Sequence, residues 1–459
     1  MPGFIVSVGP ATKSIAILGA GITGLSAAHR LTRLGHRVRV FESSARIGGA
    51  IRTERTPEGW LIEAGPNSLL AGDPALDALF AELGLAASVV QAAPAAKHRY
   101  IVRRGRPVPL PLSPPALLGS PLLSLGAKCR ILSELLTRPK IRTTDLSLAE
   151  FIHTHFGREA VDYLLNPFVS GVYAGNAQKL SARYAFPSLW ELERKHGSLL
   201  RGMAASRKQK APSRIVSFPG GLQTLPEALA AALPTGTIAL EAQTEALVPG
   251  EKWSVVWRDA AGEPRTETFD AVITALPAGA LAQLRFNTLG ERPLAALATM
   301  EHPPVASLFL GYRREQVAHT LDGFGMLIPA AELRTTLGVI FSSTLFPGRA
   351  PAGHVALTVM VGGTREPEFA RLPADKLYPA VERDLRELLG VTGAPVFQRA
   401  NHWPRAIPQY NLGHERYLEA MTACERAYPR LFIGGQARDG ISLPSCLAAG
   451  EKLALRATA

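Results

Sequence analysis

Three glycines, Gly19, Gly21 and Gly24, follow the apolar run SIAIL and open the helical run ITGLSAAHRLTR. This spacing leaves few folds open. Gly19 permits a tight turn out of a strand, Gly21 lets a phosphate approach the backbone, and Gly24 lets a helix pack closely on a sheet. Leu25, Ala28, Leu31 and Leu34 recur near helical spacing, and Gly35 stops the helix. HRVRVFE, with Val38 and Val40 alternating, reads as a second strand that ends in Glu42. A strand–helix–strand unit of this kind predicts a dinucleotide site. Its pyrophosphate would lie on the free N–H groups of the helix N-terminus, at Ile22 and Thr23, and its ribose on the Glu42 carboxylate. A glycine-rich turn without a ligand is the plain alternative; the strand, the helix, the second strand and Glu42 together weigh against it.

The following segment, SSARIGGAIRTE, separates a flavin from a nicotinamide. The pair Gly48-Gly49 lets a second loop reach the pyrophosphate beside Ser43, and Arg46 is placed to balance its charge. The pattern resembles the R-x-G-G continuation of FAD-dependent amine oxidases, with Ala50 where that family often has arginine and Arg52 two residues on. Far along the chain, GGQARDGISLPSCLAAG has a strand–loop–helix form suited to closing over a flavin ring, with a helix N-terminus near Ser445 that favours negative charge.

A chain of 459 residues, 47% hydrophobic and 19% charged, is globular and long enough for two or three domains. The net charge of +12 suits nucleic acid, an anionic membrane surface or an acidic small molecule, and an arginine-rich soluble surface equally well. Cys129, Cys424 and Cys446 are scattered, which argues against a disulfide scaffold or a zinc ribbon and fits a reducing compartment. The start has no Lys or Arg before Lys13, and its apolar run is too short for a signal peptide. No apolar run reaches the roughly 18 residues of a membrane span. The nearest, residues 109–127, is broken by five prolines and reads as a buried loop with short helices or as a surface that dips into a bilayer. His153 and His155 fall on different faces of one helix, so no metal site is expected there.

From about residue 75 to 210 the pattern is mostly helical, and the basic run 207–214 reads as an exposed loop. SFPGGLQTLPEALAAAL is a glycine turn into a helix, and strands then dominate to HVALTVMVGG. The predicted fold is α/β: a Rossmann-like FAD-binding domain assembled from 1–90, 211–290 and 424–459, a strand-rich substrate domain from 91–110 and 291–423, and a helical insertion over 111–210. This is the amine-oxidase/p-hydroxybenzoate-hydroxylase-like arrangement.

Four further stretches, IEAGPNSLL (62–70), NPFVSGVYAGNAQKLS (166–181), DGFGMLIP (322–329) and AIPQYNLGH (406–414), carry a resemblance over nearly the whole chain to the oxygen-dependent protoporphyrinogen oxidase family. The second and fourth together are specific to porphyrinogen oxidases. The resemblance implies a six-electron oxidation of a porphyrinogen with propionates, with FAD as resident cofactor, oxygen as acceptor and hydrogen peroxide as product. It implies that Arg99 faces a propionate, that Phe324 and Leu327 sandwich the tetrapyrrole, that the Gly171 backbone approaches the ring, and that Met360 packs near the flavin. Asn67 would lie beside the flavin and orient substrate. Gly65, Pro66, Ser68, Leu247, Trp403, Gly435, Ile441 and Leu443 would line the cofactor. Lys97, Arg103, Arg104 and Arg106, the neighbours of Arg99, read as solvated. One departure is Gln436-Ala437-Arg438-Asp439 before Gly440-Ile441, where the family often has an aromatic residue.

The same resemblance makes 109–127 part of a membrane-associating region. It implies an enzyme of haem biosynthesis, cytoplasmic and peripheral on the inner face of the cell membrane, with no nucleic-acid partner; it allows a homodimer. Coproporphyrinogen III is the alternative substrate. An amine oxidase, a carotenoid desaturase and a non-catalytic flavin- or haem-handling module are the wider alternatives.

Overall fold

The strand–helix–strand unit forms over β1 (Ser14–Leu18), α1 (Ile22–Arg33) and β2 (Arg37–Phe41), with Gly35 in the left-handed region at φ +82° where the helix ends. The structure, a computed structural model, describes residues 12–139, 142–207, 213–287 and 289–459. The start of the chain and residues 208–212 of the basic run lie outside them; Arg214, at its end, begins a strand and pairs with Asp77.

β1 is the centre of a five-stranded parallel sheet. Its order is Ile238–Ala239, β2, β1, Ala271–Thr274 and Leu431–Ile433. Ile15, Ile17, Val40 and Ile273 are buried on one face against α1 and the C-terminal helix Leu443–Thr458; Ala16, Leu18, Phe41 and Val272 are buried on the other. Burial on both faces is what a parallel sheet requires, and it explains the near-continuous apolar strands. The C-terminal helix lies directly on α1. A Cβ at Gly450 would stand 2.4 Å from the Thr23 carbonyl oxygen, and the Ser26 hydroxyl donates to the Leu447 carbonyl.

A seven-stranded sheet holds Phe397–Trp403, Val305–Arg313, His354–Gly362, Thr336–Ile340, Gly323–Leu327, His98–Arg103 and Arg106–Pro109, in that order. One face carries Tyr100, Leu308, Met326, Val339 and Val359 and packs on Leu377, Val381 and Leu385 of helix Ala374–Leu389. The opposite face carries Phe309 and Ala356, which pack on Trp60 and Ile62.

Between residues 114 and 207 the described regular elements are helices. Its helices meet on a buried charge cluster. The His155 imidazole lies 2.8 Å from a Glu134 oxygen and 3.1 Å from a Glu193 oxygen, and Arg142 pairs with Glu193. Glu134 also accepts from the Ser198 hydroxyl and from the N–H groups of Leu199 and Leu200. His155 therefore serves as a tie between helices. Arg103, expected in solvent, is instead half-buried. It pairs with Glu159 at 2.7 Å and lies over the Tyr163 ring, because its strand turns it toward these helices. Among the described residues, no helix is long and apolar enough to cross a membrane.

Candidate functional site: a glycine-lined trough and an apolar sheet face

The trough begins at α1. Gly21 caps the helix without a side-chain hydrogen bond, and the first turn holds no acidic residue, so its N–H groups face outward uncompensated. Gly19 has φ +99°, which only glycine adopts freely. A Cβ at Gly24 would stand 1.9 Å from the Gly19 carbonyl oxygen, so the helix meets the turn through backbone alone. At Gly21 a Cβ would meet nothing within 4 Å. The open side of the turn is therefore the side of the free N–H groups.

The second loop closes on the first. Gly48 bridges Gly21, and a Cβ at Gly49 would stand 3.2 Å from the Gly21 Cα. Gly65 in turn packs on the loop, its Cβ position 2.0 Å from the Ala50 carbonyl oxygen and 3.6 Å from the Trp403 ring. The Trp403 indole N–H donates to the Ala64 carbonyl at 2.8 Å, which fixes the 64–68 loop against the seven-stranded sheet. On the other side, Gly19 and Gly435 both face Ala275. Gly19, Gly21, Gly48, Gly49, Gly65 and Gly435 thus lie where these loops meet, with Ile22, Thr23 and Gly24 in the first turn of α1 and Ser43, Pro66 and Ser68 on the adjoining loops.

Two polar residues beside the trough are held by backbone groups. The Arg46 guanidinium donates to the Ile47, Gly49 and Ile51 carbonyls, at 3.2, 2.6 and 3.0 Å. It braces the Gly-Gly loop that borders the first turn of α1. The Glu42 carboxylate accepts from the Ala20 N–H and from the Ser44 N–H and hydroxyl, which fixes its place at the end of β2. Leu247 is wholly buried in the core with Leu18 and Phe41, and its carbonyl accepts from the Asn287 N–H.

The C-terminal loop is closed by partners that the sequence motifs did not reveal. The Asp439 carboxylate accepts from the Gly435 N–H at 2.8 Å. The Tyr410 hydroxyl donates to the Gln436 carbonyl at 2.6 Å and accepts from the Gly440 N–H at 2.9 Å. Ile441 follows this turn, and Leu443 opens the C-terminal helix, where Ser442 caps the Ser445 N–H. The departure at Gln436–Asp439 is thereby explained: Asp439 and Tyr410 shape the turn through backbone groups, with no aromatic side chain at that point. Tyr410 lies inside AIPQYNLGH, whose tyrosine was the available signal.

Along the sheet face that looks at the trough, paired residues point the same way. Leu327, Gly338, Met360, Ser307 and Asn401 form one row; Arg99, Gly325, Ile340, Thr358, Phe309 and Arg399 form the next. Strict alternation would put Phe324 and Leu327 on opposite faces. A β-bulge between Gly323 and Gly325 re-aims Phe324, whose ring comes under the Arg99 guanidinium at 5.8 Å. Arg99 is exposed at the rim. Gly171, on helix Asn166–Tyr173, meets Leu327: a Cβ there would stand 2.4 Å from Leu327 Cδ2. That helix follows a stretch of π-helix over Val161–Leu165.

Asn67 joins the trough to this face. It lines a cavity of about 10 Å³ together with Phe309, Ile340 and Thr358, and its amide donates to the Gly65 carbonyl at 3.1 Å. Behind it lies a buried pair, Glu63 and Arg349 at 3.1 Å, with side chains 4% and 3% exposed. Burial pushes the Glu63 carboxyl up, against the pull of Arg349 and the hydrogen bonds from Thr53 and the Leu222 N–H. Glu63 sits in IEAGPNSLL, whereas Arg349 belongs to no motif and only the fold brings it there. A second cavity, about 400 Å³ and lined by Arg46, Arg52, Arg399 and Asn401, borders Trp403.

The residues present fit a dinucleotide flavin. The trough is bare backbone where phosphates need N–H donors, and an open side exists where a Cβ would intrude.

Comparison with known proteins agrees. The family model described as flavin containing amine oxidoreductase matches residues 22–457. The chain is 33% identical to protoporphyrinogen oxidase 2, chloroplastic/mitochondrial, of Arabidopsis thaliana, over 96% of this chain and 93% of that one. It is 27% identical to coproporphyrinogen III oxidase of Staphylococcus aureus, over 96% and 98%. A solved structure from Exiguobacterium sp. 255-15, provisionally named protoporphyrinogen oxidase, superposes with a TM-score of 0.83 at 25% identity, over 98% and 99% of the two chains.

Proposed function

The chain belongs to the flavin containing amine oxidoreductases, and from that premise we propose that it oxidises protoporphyrinogen IX to protoporphyrin IX. It is an oxidoreductase and its cofactor is FAD. The observation that carries the substrate reading is the Arg99–Phe324 pair at the exposed rim of a face otherwise walled by Leu327, Met360, Ile340 and Gly171. A macrocycle with charge on one edge and apolar groups on the other suits such a slot. The relatives named protoporphyrinogen oxidase and coproporphyrinogen III oxidase support the porphyrinogen class.

The chemistry supplied by bound FAD is two-electron oxidation of the substrate, with oxygen as final acceptor and hydrogen peroxide as product; three such cycles give the porphyrin. The protein's own part is position. The Arg99 guanidinium holds a propionate by charge-assisted hydrogen bonds. Phe324 and Leu327 wall the ring, Gly171 admits it close to backbone, and Met360 would pack near the cofactor. Asn67, held by the Gly65 carbonyl, orients the substrate against the cofactor. The N-terminus of the C-terminal helix at Leu443 favours negative charge developing near it. The division into a discontinuous FAD domain, a sheet domain and a helical insertion is part of the same reading.

Coproporphyrinogen III is the second reading, favoured by the Staphylococcus aureus relative. It carries four carboxylates, and among the described residues Arg99 is the cation beside Phe324. Anaerobic stocks of both porphyrinogens, assayed side by side, decide. The higher kcat/KM is expected for protoporphyrinogen IX; faster turnover of coproporphyrinogen III sinks that choice, and no porphyrin from either points to a different flavoenzyme. We also propose peripheral membrane contact through the segment that exposes Leu112, Leu118, Leu125, Leu132, Leu135 and Leu136.

A further inference from the structure

We propose that Arg365 is a positioning residue for the substrate: it pins the helix that carries Gly171 against the strand that carries Leu327, and so fixes the closed edge of the ring slot. This rests on the reading that Gly171 and Leu327 belong to that slot.

The Arg365 guanidinium donates to the Ser170 hydroxyl at 2.9 Å, to the Ile328 carbonyl at 2.7 Å and to the Thr336 carbonyl at 3.4 Å. Ser170 immediately precedes Gly171, and Ile328 immediately follows Leu327. One planar fork thus spans a helix and two strands. Its hydrogen-bond partners among the described residues are all neutral, and burial pulls the guanidinium pKa down, opposed by Glu366. A desolvated cation without a bonded carboxylate is a costly way to join three elements. The rigid geometry of the guanidinium is what such a cost can secure, since its donors keep fixed angles that an ammonium does not.

The backbone around Arg365 is built for the same joint. Strand His354–Gly362 ends in Gly362 at φ +95° and Gly363 at φ +61°, which swing the chain under helix Asn166–Tyr173. A Cβ at Gly363 would stand 2.8 Å from the Ala174 carbonyl oxygen, and that oxygen accepts from the Thr364 N–H at 2.9 Å. Ala174 itself, at φ +53°, caps the helix in the left-handed region. The helix is held at its start as well, where the Asn166 side chain accepts from the Ala330 N–H at 3.0 Å. Arg365 is the tie at its middle, next to Gly171, and shifts there move the slot edge directly.

The test uses the flavin-loaded enzyme with protoporphyrinogen IX. Arg365→Gln is expected to raise KM about tenfold while kcat stays within about twofold and flavin per chain is unchanged, the split of a lost ground-state fit. Ser170→Ala removes only the tie to the helix and is expected to raise KM roughly threefold with the same split; it decides the matter if Arg365→Gln does not fold. Gly171→Ala, measured in parallel, separates the two ideas. KM raised by Gly171→Ala but by neither Ser170→Ala nor Arg365→Gln overturns the pin alone. KM unmoved in all three overturns the slot reading beneath it. Full recovery of wild-type KM by Arg365→Lys assigns the effect to charge and also overturns the pin.

Discussion

At the scale of the residue, two glycines three positions apart carry opposite burdens. Gly24→Ala drives a methyl into the Gly19 carbonyl oxygen, 1.9 Å away, so the turn and the helix cannot both persist. Gly21→Ala meets nothing within 4 Å at a φ of −70° that any residue adopts, yet its methyl stands in the open side of the turn. The expectation is a folded Gly21→Ala protein with FAD affinity reduced at least roughly tenfold, against a Gly24→Ala protein deficient in folding itself; circular dichroism and flavin absorbance after gel filtration read the two apart. Full flavin occupancy in Gly21→Ala would remove the proposed phosphate path. Arg99→Ala is expected to lower kcat/KM by roughly ten- to a hundredfold, the loss of one charged hydrogen bond, with flavin content unchanged. Kinetics equal to wild type would mean that Arg99 does not hold the propionate. The glycine spacing was legible because its reasons are local. The contacts of Arg46 within the protein were not: its type and place suit a phosphate, and only the folded loop reveals the three carbonyls that it holds.

At the scale of the element, strands and helices declared themselves by periodicity, while their joints did not. The bulge at Phe324 leaves no mark in the alternation of GFGMLIP, yet it decides which face the ring takes. The Glu63–Arg349 and Ser170–Arg365 contacts link segments nearly 200 residues or more apart, beyond what any local pattern encodes. The helical segment offers a test of such a joint. Burial alone would raise the Glu134 carboxyl, but hydrogen bonds from His155, Ser198 and the N–H groups of Leu199 and Leu200 outweigh it and hold the carboxyl below its ordinary value. Its stabilisation is then fully present above the unfolded value of about 4.3 and is lost as pH falls through the folded one. Glu134→Gln leaves His155 and the local N–H groups short of an anion. It is expected to cost about 3–5 kcal/mol near neutral pH, with the gap to wild type narrowing as melts are repeated toward pH 3. A gap independent of pH would deny Glu134 its charged role.

At the scale of the whole molecule, the Trp403 indole of the seven-stranded sheet holds the Ala64 carbonyl, so the loop that carries Asn67 is tied to the face on which Leu327 and Met360 lie. The fold class was readable from the order of patterns along the chain; the proposed membrane contact rests on resemblance, since proline-broken apolar runs suit a buried loop equally well. Co-sedimentation with vesicles containing anionic lipid is expected to recover the protein, and Leu125→Asp with Leu136→Asp, at two of the most exposed apolar positions, to release it without loss of flavin. Equal recovery of the double variant would place lipid contact elsewhere. One further consequence follows from the parallel sheet. Its first strand begins at Ser14 and its last ends at Ile433, and the helix seated on Thr23 through Gly450 comes later still. During synthesis the nucleotide loop is made long before the last strand of the sheet on which it rests. Cofactor capture therefore waits on Leu431–Ile433 and the helix after it, and a ribosome stalled between the loop and that strand carries a polypeptide that cannot yet become yellow.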